Sequence, residues 1–168
     1  MPKDAKNVSH PNLKARVLPH NDEAEQAILG CVMIDENAPV TILSELTPDD
    51  FYSGAHKLIF TAMQSLAQED KPVDIVTLVQ EVETMGCMEK VGGITYLTDL
   101  SNFVPSADNY KHYLAIVKKN SLLRRLIAVS GKIADNAFEG DPADNALELA
   151  ESEIYALSEK RDRSTLVD

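Results

Sequence analysis

The residues able to do chemistry are few and badly spaced for it. The chain holds four histidines and two cysteines, and fifteen acids fall between residues 21 and 107. His20, His56 and His112 have neither an acid nor a cysteine four residues further on, the spacing that would place two ligands on one helix face. Cys31 and Cys87 form no CxxC and have no histidine at ligand distance, so a zinc site is not expected. They read instead as small buried hydrophobes in a reducing compartment. Gly92-Gly93 precedes a helical stretch and so resembles a phosphate cradle, but neither a GxxxxGK[ST] loop nor a GxGxxG fingerprint occurs. The pair reads as a tight turn. No nucleophile–base pair is apparent, so no catalytic, cofactor-binding or metal-binding residue is expected, and function must lie in surfaces.

Those surfaces are carried by helices. Apolar residues make up 44% of 168, enough for a core, whereas seven glycines and eight prolines are too few for the turns of a sandwich or barrel. Aromatics are 5% with no Trp, so the core must be aliphatic. No run of 18 apolar residues exists and the N-terminus has no apolar signal-peptide core. The expected location is the cytoplasm.

Charge is distributed in blocks. Residues 1–20 carry +3, 21–107 carry −12, 108–138 carry +4, and 139–159 carry −7 without a single base. A body this acidic repels a phosphate backbone, so strong direct nucleic-acid binding is not expected.

Residues 1–20, with Pro2, Pro11 and Pro19, read as a disordered arm. Asn21 caps a first helix whose opening turn holds Asp22, Glu23 and Glu25. A short helix spans Pro39 to Leu46, and Thr47-Pro48-Asp49-Asp50 is a further start signal. Ser53 opens a longer helix to about Gln68, and Asp74 opens one that ends at Gly86. A short strand over Val73–Val79 is the competing reading there. Another helix follows Gly92-Gly93. Residues 21–105 thus form a multi-helix head.

From Ala107 to Phe138 no proline interrupts, and Gly140-Asp141-Pro142 turns the chain into a second helix to about Glu159. Two long helices joined so tightly form an antiparallel hairpin over 106–160. Its second arm places Ala143, Leu147, Ala150, Ile154 and Leu157 on one heptad seam. Its first arm carries two stripes, Leu123-Ile127-Ala134-Ala137 and Leu122-Leu126-Val129-Ile133. One partner helix cannot cover both, so a second chain is expected on the hairpin. Lys118, Lys119, Arg124 and Arg125 form a basic cluster facing an acidic second arm, and are candidate charged contacts.

Six segments resemble the opening domain of DnaB-type bacterial replicative DNA helicases, in family order over about residues 17–160. They are Pro19-His20-Asn21-Asp22-Glu23-Ala24-Glu25-Gln26-Ala27-Ile28-Leu29-Gly30, Asp50-Phe51-Tyr52 with His56-Lys57-Leu58-Ile59-Phe60, Val73-Asp74-Ile75-Val76-Thr77-Leu78, Val91-Gly92-Gly93-Ile94-Thr95-Tyr96-Leu97, Pro105-Ser106-Ala107-Asp108-Asn109-Tyr110, and Leu149-Ala150-Glu151-Ser152-Glu153-Ile154-Tyr155. The resemblance implies an all-α head plus hairpin that assembles subunits into a ring, a trimer of dimers within a hexamer, and offers primase a landing surface. A helicase loader is a further implied partner. It makes the hairpin residues Leu122, Leu123, Leu126, Ile127, Val129, Ile133, Leu147 and Ile154 the expected interface. It also implies that ATP and Mg belong to a RecA-like motor domain absent here, with residues 161–168 starting the linker to it. A stand-alone adaptor or helicase loader built on the same module is the alternative.

Overall fold

The capping residues decide where each helix begins. In the computed structural model, which describes residues 16–35, 37–103, 109–140 and 142–165 (backbone only over 161–165), the described residues form seven α-helices. Asn21 Oδ1 accepts from the Ala24 N–H at 2.9 Å and starts α1, Asp22–Ile34. α2 is Ala38–Glu45. Ser53 caps α3, Gly54–Gln68, and Asp74 Oδ1 takes the Thr77 N–H at 2.9 Å to start α4, Ile75–Met85. That cap, with the Thr77 hydroxyl reaching back to the Asp74 N–H, settles Val73–Val79 in favour of helix over strand. Gly86 closes α4 in the left-handed region at φ 70. α5 is Gly93–Asn102, α6 is Tyr110–Phe138 and α7 is Ala143–Thr165. The arm through Ala15, and the expected break at Pro105-Ser106, lie outside the described residues.

Thr47-Pro48 opens only a 3-10 turn, Pro48–Asp50, rather than an α-helix. Phe51 leaves it extended, at ψ 140, and is fully buried. Burying that ring ends the turn. Phe51 and Phe60 pack with centroids 4.9 Å apart at the centre of an otherwise aliphatic core that includes Ile28, Ile42, Ile59, Met63, Leu78 and Leu97. Cys31 and Cys87 are free thiols within it, and burial, with Asp35 nearby, pushes the Cys31 thiol above its ordinary value.

Three boundaries differ from the sequence reading. The head does not end at residue 105, because Leu114, Val117 and Ser121, at helical spacing on α6, are buried in it. The base of the long helix is thus part of the head, and only the remainder projects. α7 does not end near Glu159 but runs to Thr165, since neither Pro nor Gly interrupts 143–165. At the other end, Pro19 and His20 of the expected disordered arm are held: the Pro19 carbonyl accepts from Arg124 at 2.8 Å, and the His20 ring stacks 4.1 Å from Tyr52.

Gly92 sits at φ +97, and a Cβ there would meet Tyr96 Cβ at 3.0 Å. Gly92→Ala is therefore expected to cost about 1–3 kcal/mol through backbone strain. Gly93→Ala, also at positive φ (+82) but with nothing near its Cβ, should cost less. Urea midpoints of the two variants test the difference.

Candidate interaction surface and the junction that presents it

Four residues from three helices meet within the head. Glu25 of α1 is buried, and its carboxylate takes the Tyr52 N–H at 2.8 Å, the Ser53 N–H at 3.3 Å and His56 Nδ1 at 2.7 Å. His56 Nε2 hydrogen-bonds the Tyr96 hydroxyl, and Gln26 Nε2 approaches that hydroxyl at 3.4 Å. Burial pushes the Glu25 carboxyl upward. The His56 contact and the Tyr52 and Ser53 N–H groups outweigh it, so the group lies below the ordinary carboxylate range. Burial pushes the Tyr96 hydroxyl up, which keeps it protonated. This glutamate–histidine pair is one the sequence reading missed, because its partners lie 31 positions apart. The chain, its hydrogen bonds spent inside the head, ties α1, α3 and α5 together.

A second hub joins head to hairpin. Asp50 is buried, one carboxylate oxygen taking the Thr47 N–H at 2.7 Å, the other taking the Ser121 hydroxyl at 2.7 Å and Arg125 at 2.8 Å. Arg124 donates to the Asp50 and Pro19 carbonyls and lies 5.7 Å from the Tyr52 ring centroid. Burial draws the Arg124 guanidinium below its ordinary value, against the pull of Glu25 and Asp50. Lys118 pairs with Glu45 at the end of α2, at 2.6 Å. Three of the four candidate charged contacts, Lys118, Arg124 and Arg125, therefore bind this chain's own head. Lys119 is exposed. The one signal available was Ser121, a polar residue in line with Leu114 and Val117.

Beyond Ser121 the hairpin changes character. Among the described side chains, none after Ser121 is buried. Leu122, Ile127, Val129 and Ile133 are half-buried, while Leu123 and Leu126 are exposed, Leu126 by 42%. α7 is rotated from the expected seam. Ala146, Leu149, Ala150, Glu153 and Leu157 are half-buried, with Glu153 paired to Lys132 across the hairpin. Leu147 and Ile154 turn outward, 60% and 41% exposed, and Phe138 at the tip is 85% exposed. Among the described residues no cluster of histidine, cysteine or carboxylate is placed to hold a metal ion, and no helix is long and apolar enough to cross a membrane.

The architecture is that of an all-helical scaffold: a closed head whose buried polar groups are satisfied internally, carrying a hairpin from which Leu123, Leu126, Leu147 and Ile154 face outward. Residues 17–119 match the family DnaB-like helicase N terminal domain. The chain is 40% identical over 149 residues to the replicative DNA helicase DnaB of Haemophilus influenzae, covering 88% of this chain and 32% of that protein. It is 41% identical over 154 residues to the replicative DNA helicase DnaC of Bacillus subtilis, covering 90% and 34%. The N-terminal domain of DnaB helicase from Mycobacterium tuberculosis superposes with TM-score 0.78 at 32% identity, covering 84% of this chain and 99% of that one. A DnaB-like replicative helicase, described with its interactions with primase, superposes at TM-score 0.66 and 27% identity, covering 82% and 31%. The chain belongs to the DnaB-like helicase N-terminal domain family. It spans about a third of the length of these curated relatives.

Proposed function

We propose that this domain assembles and docks the subunits and partners of a replicative DNA helicase, and leaves ATP- and Mg-dependent work to a motor domain elsewhere in the protein. The observation that carries the reading is the hairpin beyond Ser121, a pair of helices with no buried side chain among those described. Such a pair is marginal in water, because helical stability comes mainly from burying an apolar face. Leu122, Leu123, Leu126, Ile127, Val129, Ile133, Leu147 and Ile154 supply that face to a second copy, in dimers or in a hexameric trimer of dimers, and to primase. A helicase loader is a further candidate partner. The acidic head keeps DNA contact weak, and the working compartment is the cytoplasm.

Light scattering over a range of concentrations tests this. The parent chain is expected to associate, and Leu126→Asp to weaken association by about 2–3 kcal/mol. Titration of purified primase should show a parallel loss. An associating parent whose mass is unchanged by Leu126→Asp would remove that leucine from the interface. A parent that stays monomeric and ignores primase would remove the reading.

A further inference from the structure

An apolar groove of about 780 Å³ opens on the head, between the end of α1, α2 and the α3–α4 turn. No residue of α6 or α7 lines it, so it is separate from the hairpin surface. Its aliphatic wall includes Ile34, Val40 and Leu43, with Val40 75% and Ile34 50% exposed. Exposed aliphatics gathered in a concave site mark a docking surface.

The charge around the groove is one-sided. Asp35 and Asp74 stand on its rim. Each carboxylate spends Oδ1 on a backbone N–H, that of Asn37 at 2.8 Å and that of Thr77 at 2.9 Å, and keeps its second oxygen for a cation. The rim lysine, Lys71, has its ammonium 2.7 Å from the Glu69 carboxylate and is neutralised there. The rim therefore favours an occupant that brings cations. The walls are helices and a turn, and they offer no strand edge to an extended peptide. Side chains alone must recognise the occupant, which suits a helix, whose own backbone is already satisfied. α2, with eight residues, is about 12 Å long, close to the rise of about 10 Å from position i to i+7 of a docked helix.

Among the described residues this chain supplies no such helix. α7 exposes Leu147 and Ile154, but no base lies between 139 and 159. α6 spends Arg124, Arg125 and Lys132 on contacts within the chain. Its exposed Leu123 and Leu126 are left with a cation, Lys119, at one end only.

We propose that this groove docks a short amphipathic helix of another protein, with aliphatic side chains at i, i+3 and i+7 against Ile34, Val40 and Leu43, and a lysine or arginine at each end near Asp35 and Asp74. The inference goes beyond the assembly reading, and none of its residues belongs to the hairpin interface.

The test titrates the full chain, methyl-labelled, with a synthetic alanine-based helix carrying leucines at i, i+3 and i+7 between pairs of lysines. The Ile34, Val40 and Leu43 methyl signals should shift together. The same peptide with glutamates in place of lysines should bind about tenfold more weakly. Asp35→Asn/Asp74→Asn keeps both caps, because asparagine caps as well as aspartate. It should weaken the lysine peptide by about three- to tenfold and leave the glutamate peptide no weaker. Val40→Ser, an exposed change outside the core, should weaken the lysine peptide about tenfold. Equal binding of the two peptides, shifts centred on Leu123 and Leu126 instead, or no shift at all overturns the proposal. Groove signals that move with the chain's own concentration, before peptide is added, place a second copy there and overturn it equally.

Discussion

Glu25→Ala is expected to cost about 3–5 kcal/mol of folding stability, since each donor left without its acceptor costs about 1–3 kcal/mol. The mechanism is the loss of one acceptor for three donors. The Tyr52 and Ser53 N–H groups and His56 Nδ1 all point at the Glu25 carboxylate. Without it, two part-buried backbone donors and one buried ring nitrogen lose their acceptor. The network should also shape the response to pH. The folded-state carboxyl lies below its ordinary range, so its contribution is fully present above the unfolded-state value. That contribution drains away as pH falls through the folded value. The parent should therefore lose stability on acidification, whereas Glu25→Gln, uncharged throughout, should start lower and lose less. Urea unfolding followed by circular dichroism at neutral and acid pH measures both. Equal acid sensitivity in parent and Glu25→Gln would dismiss the carboxylate as the source.

Asp50→Ala is expected to cost about 2–4 kcal/mol, less than Glu25→Ala because its cationic partner is partly solvated. Arg125 is 26% exposed against 9% for the Asp50 side chain. Asp50 accepts from Thr47, Ser121 and Arg125, so its loss uncouples the 3-10 turn from the root of α6. The effect has a location. Amide exchange should rise most around Ser121–Arg125, while the Phe51–Phe60 core exchanges as before. A double-mutant cycle with Arg125→Ala should show coupling of about 0.5–3 kcal/mol. Strict additivity would mean that the Asp50–Arg125 contact carries no weight, with Ser121 and Thr47 accounting for the loss.

Both variants concern residues that sequence reading passed over. Glu25 looked like an ordinary first-turn acid favoured by the helix dipole, and it does occupy α1's first turn. Nothing in its local spacing says that the same side chain is buried against residues 27 to 31 positions away. Arg124 and Arg125 looked like surface cations on a long exposed helix. They bind Asp50, 74 and 75 positions earlier. Local spacing reports helix faces, whereas pairing across such distances depends on how the faces are docked.

The hairpin shows the same division at finer scale. Heptad spacing placed Leu147 and Ile154 on the seam toward α6, and the structure turns them outward. The inward side of α7 holds Leu149 and Glu153 instead, and Glu153 meets Lys132. A rotation of a fraction of a turn exchanges these two faces, and the apolar period alone does not set the phase between two helices.

By itself, the sequence determined the helical class, most helix starts, the closing glycine of α4 and an aliphatic core. Caps, turn glycines and apolar periodicity act within a few residues, so they can be read along the chain. The tertiary structure decided that the head extends into α6 as far as Ser121, that Lys118, Arg124 and Arg125 bind this head, and that Leu147 and Ile154 face outward. Those outcomes follow from burial and charge pairing between residues far apart in sequence, which exist only once the helices have packed.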